Sequence, residues 1–558
     1  GTTDSSVDGT ISAITTTIPG RSAITSKYEY NDLRQLEKKT VTVPNQNRGT
    51  TTVYTRGYTY SVIAEDKDCN RVGTRLASTA YTFGSSSRSF DYTYDAAGNI
   101  QTVTTGGTNV PAAAASKTYT YDAQGQLATE TNGGASRAYA YDTVGNIRSV
   151  TTDGAVIKSF GYTNPSWPDL LTSVTVGGTT KDILYEGQTQ TSGIPSSGNP
   201  VTYYNGKDYT FTWTKGRQLA SATVDGKNVT YTYDMSGVRT SKTVDGTTYH
   251  YTTLSGKVMR QQWETRNSDD TVYQAMQSLE FVYDDGNQPF AMIYKHGQTT
   301  ELYYYVLNAQ GDVIALLNAN GALVASYNYG AWGNYSVHGA DGKKTTDPTF
   351  IGHINPLRYR GYYYDRETRL YYLQSRYYDF ANCRFINADA YATTNAGSFL
   401  SCNMFAYCGN NPVNRADQSG TFWKEIGSFF NKVGTAIAGF AKATFGAGSS
   451  LSATITKTEV EYLPDPLPIT VKLGTKTTQT ISKHGNSSKP ISVYAKGNAE
   501  HPIKSSSAGI KINIAKFTLD ISMGLDNIGI SGSLSNGNTT NSFGLKANLS
   551  ELKVGFEG

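Results

Sequence analysis

A short pattern, Tyr-x-Tyr-Asp-x-x-Gly-x-aliphatic, recurs along the chain and constrains its fold more than any other feature. It places Tyr92, Tyr94, Asp95 and Gly98 ahead of Ile100, and Tyr119, Tyr121, Asp122 and Gly125 ahead of Leu127. It returns as Tyr139, Tyr141, Asp142, Gly145 and Ile147, and again as Tyr231, Tyr233, Asp234 and Gly237. Looser copies begin at Tyr28 and Phe281. Self-similarity at about 20 to 27 residues marks stacked units that share one core, so the length of 558 residues does not give a domain count.

Each residue of the unit has a physical role. Tyrosines at i and i+2 lie on one face of a strand, and aromatic residues favour strands and pack across them. The Asp carboxylate can accept from backbone N–H groups just downstream and open a turn. The Gly supplies a positive φ, and the aliphatic residue begins the return strand. Between copies lie Thr/Val alternations, such as residues 147–152 and 240–244, with Asp-Gly at 153–154, 225–226 and 245–246. Asp-Gly between alternating runs is a hairpin signal. The expected fold is therefore mainly β, a long ribbon of antiparallel strands. Such a ribbon cannot leave its faces and edges bare; it must coil, either into a solid solenoid or into a shell. The tyrosine ladder reads first as packing. Tyrosine edges also stack on sugar rings, which makes carbohydrate a second candidate partner.

The 42 Tyr stand against 19 Phe and 6 Met, and they are unevenly placed. Up to Gly420 the chain holds 40 Tyr and every Arg, the last being Arg415. The remaining 138 residues hold Tyr462 and Tyr494, no Arg, and 14 Lys against 9 acids, a net of +5 within a total of +4. A break of this kind predicts two modules. The near-balanced total makes no demand for a nucleic acid or an anionic membrane. No run of 18 apolar residues predicts a membrane-spanning helix. Four Cys rule out a disulfide scaffold. Cys383, Cys402 and Cys408 lack a CxxC pair or a nearby His, so buried thiols are expected ahead of one disulfide or a metal site. The six His are dispersed and the Gly-rich loops carry no phosphate-binding motif, so neither metal nor cofactor is expected. The opening GTTDSSVDGT has no Met and no signal peptide and reads as a mature product or a fragment.

The repeat resembles the YD repeat of RHS proteins. Residues 355–365 (NPLRYRGYYYD) and 370–379 (LYYLQSRYYD), then Arg384-Phe385-Ile386 and residues 410–414 (NNPVN), resemble the RHS repeat-associated core domain. The resemblance covers about residues 25–420 and extends to wall-associated proteins of the WapA type and to insecticidal toxin-complex C components. It implies a spiralling antiparallel β-shell, or cocoon, plugged by the core domain, with a variable C-terminal domain held inside as cargo; the tail's own pattern makes that domain small and α+β. The implied division is a lead-in at 1–24, the shell at 25–350, the core at 351–420 and a variable toxin-like domain at 421–558. A secreted or cell-surface monomer follows, with a cognate immunity protein and a membrane or nucleic-acid target.

The resemblance also implies self-cleavage by an aspartyl-protease-like pair. The matching residues are Asp389, after Arg384-Phe385, and Asp417, ahead of Gly420. Two nearby carboxylates can share one proton, one acting as base toward water and the other as acid toward the leaving nitrogen. Arg384 is the candidate to orient them, and the scissile bond is expected just after Gly420, around Thr421 and Phe422. The sequence departs from the family pattern at Phe380, Cys383, Ala390 and Gln418, where Pro, Gly, Pro and Pro are usual. The alternative reading is that Asp389 and Asp417 only cap turns.

In the tail, Phe422, Ile426, Phe429, Phe430, Val433, Ile437, Phe440 and Phe445 recur at helical spacing over 422–445. Such a helix suits a core, a shell lining or a membrane interface. Ile510, Ile512 and Ile514 alternate with polar residues, and Phe517, Leu519 and Ile521 continue after a phase shift that suggests a bulge. These strands suit a half-buried sheet or the hairpins of a membrane barrel. His484, His501, Glu500 and Asp520, with Lys504 or Lys511, form the candidate set for a nuclease.

Overall fold

The structure is a computed structural model. It describes residues 2–5, 11–16, 22–32, 35–45, 49–63, 71–108, 116–189, 195–263, 277–284, 286–389, 403–420, 424–425, 458–461, 470–473, 492–497, 506–514, 517–524, 527–536, 539–548 and 551–557. The chain divides into two compact units, one of Lys27–Phe429 and one of Gly1–Ser26 with Phe430–Gly558.

The larger unit is built from two antiparallel sheets in which every strand pairs with its neighbour in sequence. The first runs from Ile24–Tyr30 to Thr179–Asp182, and the second, of 13 strands, from Thr202–Tyr204 to Tyr335–Gly339. The repeat forms as its residues dictate. Tyr92, Tyr119, Tyr139 and Tyr231 are buried, while the residues that follow them, Thr93, Thr120, Ala140 and Thr232, are exposed. Asp122 accepts from the backbone N–H of Gln124 at 3.0 Å and of Gln126 at 2.9 Å. Gly98, Gly125, Gly145 and Gly237 take φ between 76° and 91°, a conformation costly for any residue with a Cβ. Asp153-Gly154, Asp225-Gly226 and Asp245-Gly246 adopt positive φ at both positions, the geometry of the tight hairpin turn.

One regularity joins each repeat to the one before. In several of these hairpins the pairing register shifts at an aliphatic residue at or near the start of the return pairing, among them Leu76, Ile100, Leu127, Leu219, Val258 and Val313. The second tyrosine of a later repeat donates its hydroxyl to the carbonyl at that bulge. Tyr94 reaches Leu76, Tyr121 reaches Ile100 and Tyr141 reaches Leu127, each at 2.7 Å. Tyr233, Tyr283 and Tyr329 reach Leu219, Val258 and Val313, each at 2.9 Å. The tyrosine excess thus has a cause that phenylalanine cannot serve: the ring fills the core and the hydroxyl satisfies a backbone acceptor of another strand.

Residues 351–420 begin with a short helix, Ile351–Ile354, and carry a four-stranded sheet, Tyr363–Asp365, Leu370–Tyr372, Tyr377–Asp379 and Arg384–Phe385. This segment packs against both large sheets. Asp365 holds Arg239 and, at 3.2 Å, Lys242 of the second sheet; all three side chains are at most 5% exposed. The Arg239 guanidinium also faces the rings of Tyr231, Tyr251, Tyr363, Tyr372 and Tyr377. Toward the first sheet, three asparagines read the repeat turns. Asn410 donates to the Gly145 carbonyl at 2.6 Å, and Asn411 to the Gly125 carbonyl at 2.9 Å. Asn414 accepts from the Ile100 N–H at 2.8 Å and donates to the Tyr121 hydroxyl at 2.9 Å.

In the smaller unit, six strands from Ser492–Gly497 to Glu551–Glu557 form an antiparallel sheet in chain order. The phase shift after Ile514 is not a bulge. Ile514 pairs with Phe517, so one strand ends there and its antiparallel neighbour begins. Cross-strand partners share a face, and the alternation changes phase for that reason. Of the helix expected over 422–445, Lys424–Glu425 is instead a strand paired with Arg415–Ala416; the rest lies outside the described residues. His484, His501, Glu500 and Lys504 also lie outside them. Lys511 and Asp520 are paired neighbours in the sheet.

Candidate functional site

The segments that carry Asp389 and Asp417 are brought together by one buried arginine, Arg376. It directly precedes the strand Tyr377–Asp379. Its Nη2 lies 2.9 Å from Asp389 Oδ2 and 3.7 Å from Asp417 Oδ2. Its Nη1 donates to the Met404 carbonyl at 3.0 Å, and its Nε donates to the carbonyl of Gly420. The same guanidinium therefore meets both candidate carboxylates and the carbonyl of the bond expected to break. Burial lowers the Arg376 pKa to about 10, against the pull of Asp389 and Asp417, and the group remains cationic near neutrality.

Local geometry fixes the rest of the site. Asp417 Oδ1 accepts from the Gly420 N–H at 2.8 Å and the Ser419 N–H at 3.3 Å. Asp417 thus caps a turn, as one reading expects, while its Oδ2 faces Arg376. Its own N–H donates to the Tyr362 hydroxyl at 2.8 Å. The Asp389 N–H donates to the Met404 carbonyl at 2.9 Å. The Ser419 carbonyl accepts from the Ser375 hydroxyl at 2.7 Å. Gly420 has φ +73°, and a Cβ there would meet the Leu373 carbonyl at 2.6 Å, so only glycine fits. A carbonyl held by a guanidinium beside two carboxylates is polarised toward addition, with a base at hand for an attacking water.

The arginine between the carboxylates is Arg376 and not Arg384. Arg384 donates to the Tyr162 hydroxyl at 2.7 Å and the Asp169 carbonyl at 2.9 Å, with its guanidinium over the Phe405 ring. It ties the core segment to the first sheet. Thr421 and Phe422 lie outside the described residues. Cys383 and Cys408 are buried free thiols, and burial raises the pKa of both.

Sequential antiparallel sheets of tyrosine hairpins, closed against a tyrosine-rich core segment, define an RHS/YD-repeat shell protein. The family model of the Teneurin YD-shell matches residues 5–413, and the chain belongs to that family. Over 164 residues the chain is 35% identical to the tRNA3(Ser)-specific nuclease WapA of Bacillus spizizenii and 34% identical to the tRNA nuclease WapA of Bacillus subtilis. Each alignment covers 27% of this chain and only 7% of the relative. The fold is similar to the crystal structure of TcdB2-TccC3-TEV, with a TM-score of 0.51 at 18% identity, over 75% of this chain and 20% of that one.

Proposed function

We propose that the chain is part of an extracellular or surface-associated polymorphic toxin whose YD-repeat shell (25–350) and core plug (351–420) carry residues 421–558 as an effector. In this reading the chain acts as a monomer, the effector is freed by hydrolysis beside Gly420, and a cognate immunity protein protects the producing cell. The observation that carries the reading is the single Arg376 guanidinium on Asp389, Asp417 and the Gly420 carbonyl. A carboxylate takes a proton from water, the hydroxide adds to the Gly420 carbon, and Arg376 holds the oxyanion. The C–N bond then breaks, and the proton passes to the leaving nitrogen.

Intact-mass measurement of the purified chain tests this. Two fragments divided beside Gly420 are expected, with Asp389→Asn and Asp417→Asn each left whole. A single 60.5 kDa species from the unaltered chain would overturn the cleavage.

The names of the matched relatives favour a second reading, a nuclease effector in the tail. Expression of 421–558 in bacteria separates the readings. Arrest with degraded RNA supports a nuclease, and arrest with leakage supports membrane action. No phenotype favours an adhesive or carbohydrate-binding wall protein.

A further inference from the structure

Four buried guanidinium groups each have an oxygen acceptor. Arg239 has Asp365, Arg360 has Asp312, Arg376 has Asp389, and Arg384 has the Tyr162 hydroxyl. Arg88 differs. It is 5% exposed and has no carboxylate at ion-pair distance among the described residues, and its Nε meets no hydrogen-bond partner there. Its guanidinium lies over the Phe90 ring at 5.4 Å. Burial lowers its pKa to about 10, so it stays charged at neutral pH. A buried charge of this kind is costly unless something of opposite sign answers it.

Beside Arg88 lies a cavity of about 30 Å³, lined from the first sheet by Arg88 and Lys117 and from the second by Asn328 and Tyr329. Lys117 is half-buried, and its Nζ donates to the Tyr329 carbonyl at 2.7 Å. The carboxylates that act on Lys117 are Glu130 and Asp312. Both are engaged elsewhere: Glu130 accepts from the Ala331 N–H at 2.7 Å and the Tyr139 hydroxyl at 3.2 Å, and Asp312 from Arg360 at 2.8 Å. Two cationic side chains therefore line one small void.

We propose that this cavity is an anion site that takes a single monatomic anion, chloride, between Arg88 and Lys117. The volume holds one or two water-sized bodies, which suits a monatomic anion better than a tetrahedral oxyanion such as phosphate. Because its walls come from both large sheets, the ion is a joint between them.

Thermal unfolding of the full chain at constant ionic strength tests the site, with sodium chloride exchanged for sodium gluconate or sodium phosphate. Chloride is expected to raise Tm saturably by about 2 °C or more, with no such rise in gluconate or phosphate. Arg88→Met is expected to abolish the chloride dependence. Equal Tm in chloride and gluconate, or an unchanged chloride response in Arg88→Met, overturns the proposal. Crystals of the full chain soaked in sodium bromide give a reading that does not need the variant to fold. An anomalous peak beside Arg88 is expected, and a position without anomalous signal overturns the site.

Discussion

The hydroxyl of Tyr121 donates to the carbonyl of Ile100 at 2.7 Å, across 21 residues of sequence and from one repeat to the one before it. The same hydroxyl accepts from Asn414 of the core segment at 2.9 Å. One phenolic oxygen thus joins two repeats and the segment packed on them. Tyr121→Phe keeps the ring and loses both bonds, leaving a buried acceptor without its partner. The expected loss is about 1–3 kcal/mol, read as a lower denaturant midpoint. Tyr141→Phe, which removes the analogous bond to Leu127, is expected to cost less because no core-segment bond is lost with it.

Asp365 answers two buried cations, Arg239 and Lys242. Asp365→Ala leaves both without it in a low-dielectric interior, and a loss of about 3–5 kcal/mol is expected. Exchange of amide hydrogens in the strands Tyr363–Asp365 and Arg239–Val244 should report it first. Protection equal to that of the unaltered chain would show that the pair adds nothing.

Glu367 joins the same cluster, 2.7 Å from Lys242. Burial alone would raise its pKa, but the charge and hydrogen bond of Lys242 outweigh that and lower it to about 2. A folded pKa below the unfolded value means stability that is complete above the unfolded carboxyl range, near pH 4.5, and is lost as pH falls toward 2. Acid titration of stability is expected to show this loss between about pH 4.5 and 2, and Glu367→Gln should flatten that part of the profile.

In the proposed cleavage, Arg376 should divide structure from chemistry. Arg376→Lys keeps a cation but loses the forked geometry, and cleavage beside Gly420 is expected to slow by about 100-fold or more. The unfolding midpoint should fall far less. Unchanged cleavage kinetics in a folded Arg376→Lys chain would remove the guanidinium from the mechanism.

Cys383 and Cys408 are buried, and burial holds both thiols above their usual pKa. In a chain whose other two cysteines are replaced, Cys69→Ser and Cys402→Ser, a thiol reagent should label neither in the native state and both after unfolding. Fast labelling of the native chain would contradict the burial.

The shell was legible because its rules are local. Period-two tyrosines, Asp turns and Asp-Gly hairpins act within a few residues, and the strands and turns form where those residues predict. Asp389 and Asp417 could be placed by the core-segment motif. Arg376 could not, because its role arises only when the residues near 376, 404, 389 and 420 meet in the fold. Its one sequence cue is position, directly ahead of the Tyr377-Tyr378-Asp379 strand. The work of Asn410, Asn411 and Asn414 was equally hidden, although three amides within five residues are well suited to bind turn carbonyls and N–H groups. The shift after Ile514 was misread because a bulge and a hairpin both change the phase of an alternation, and only pairing separates them.

The bonds made by the second tyrosine of each repeat run one way. The acceptor belongs to the earlier unit, and the donor arrives with a later one. A growing chain therefore completes each of these seams only when further sequence emerges. Lengthening or shortening the wall by whole units keeps these seams satisfied, whereas any other excision strands an acceptor at the splice.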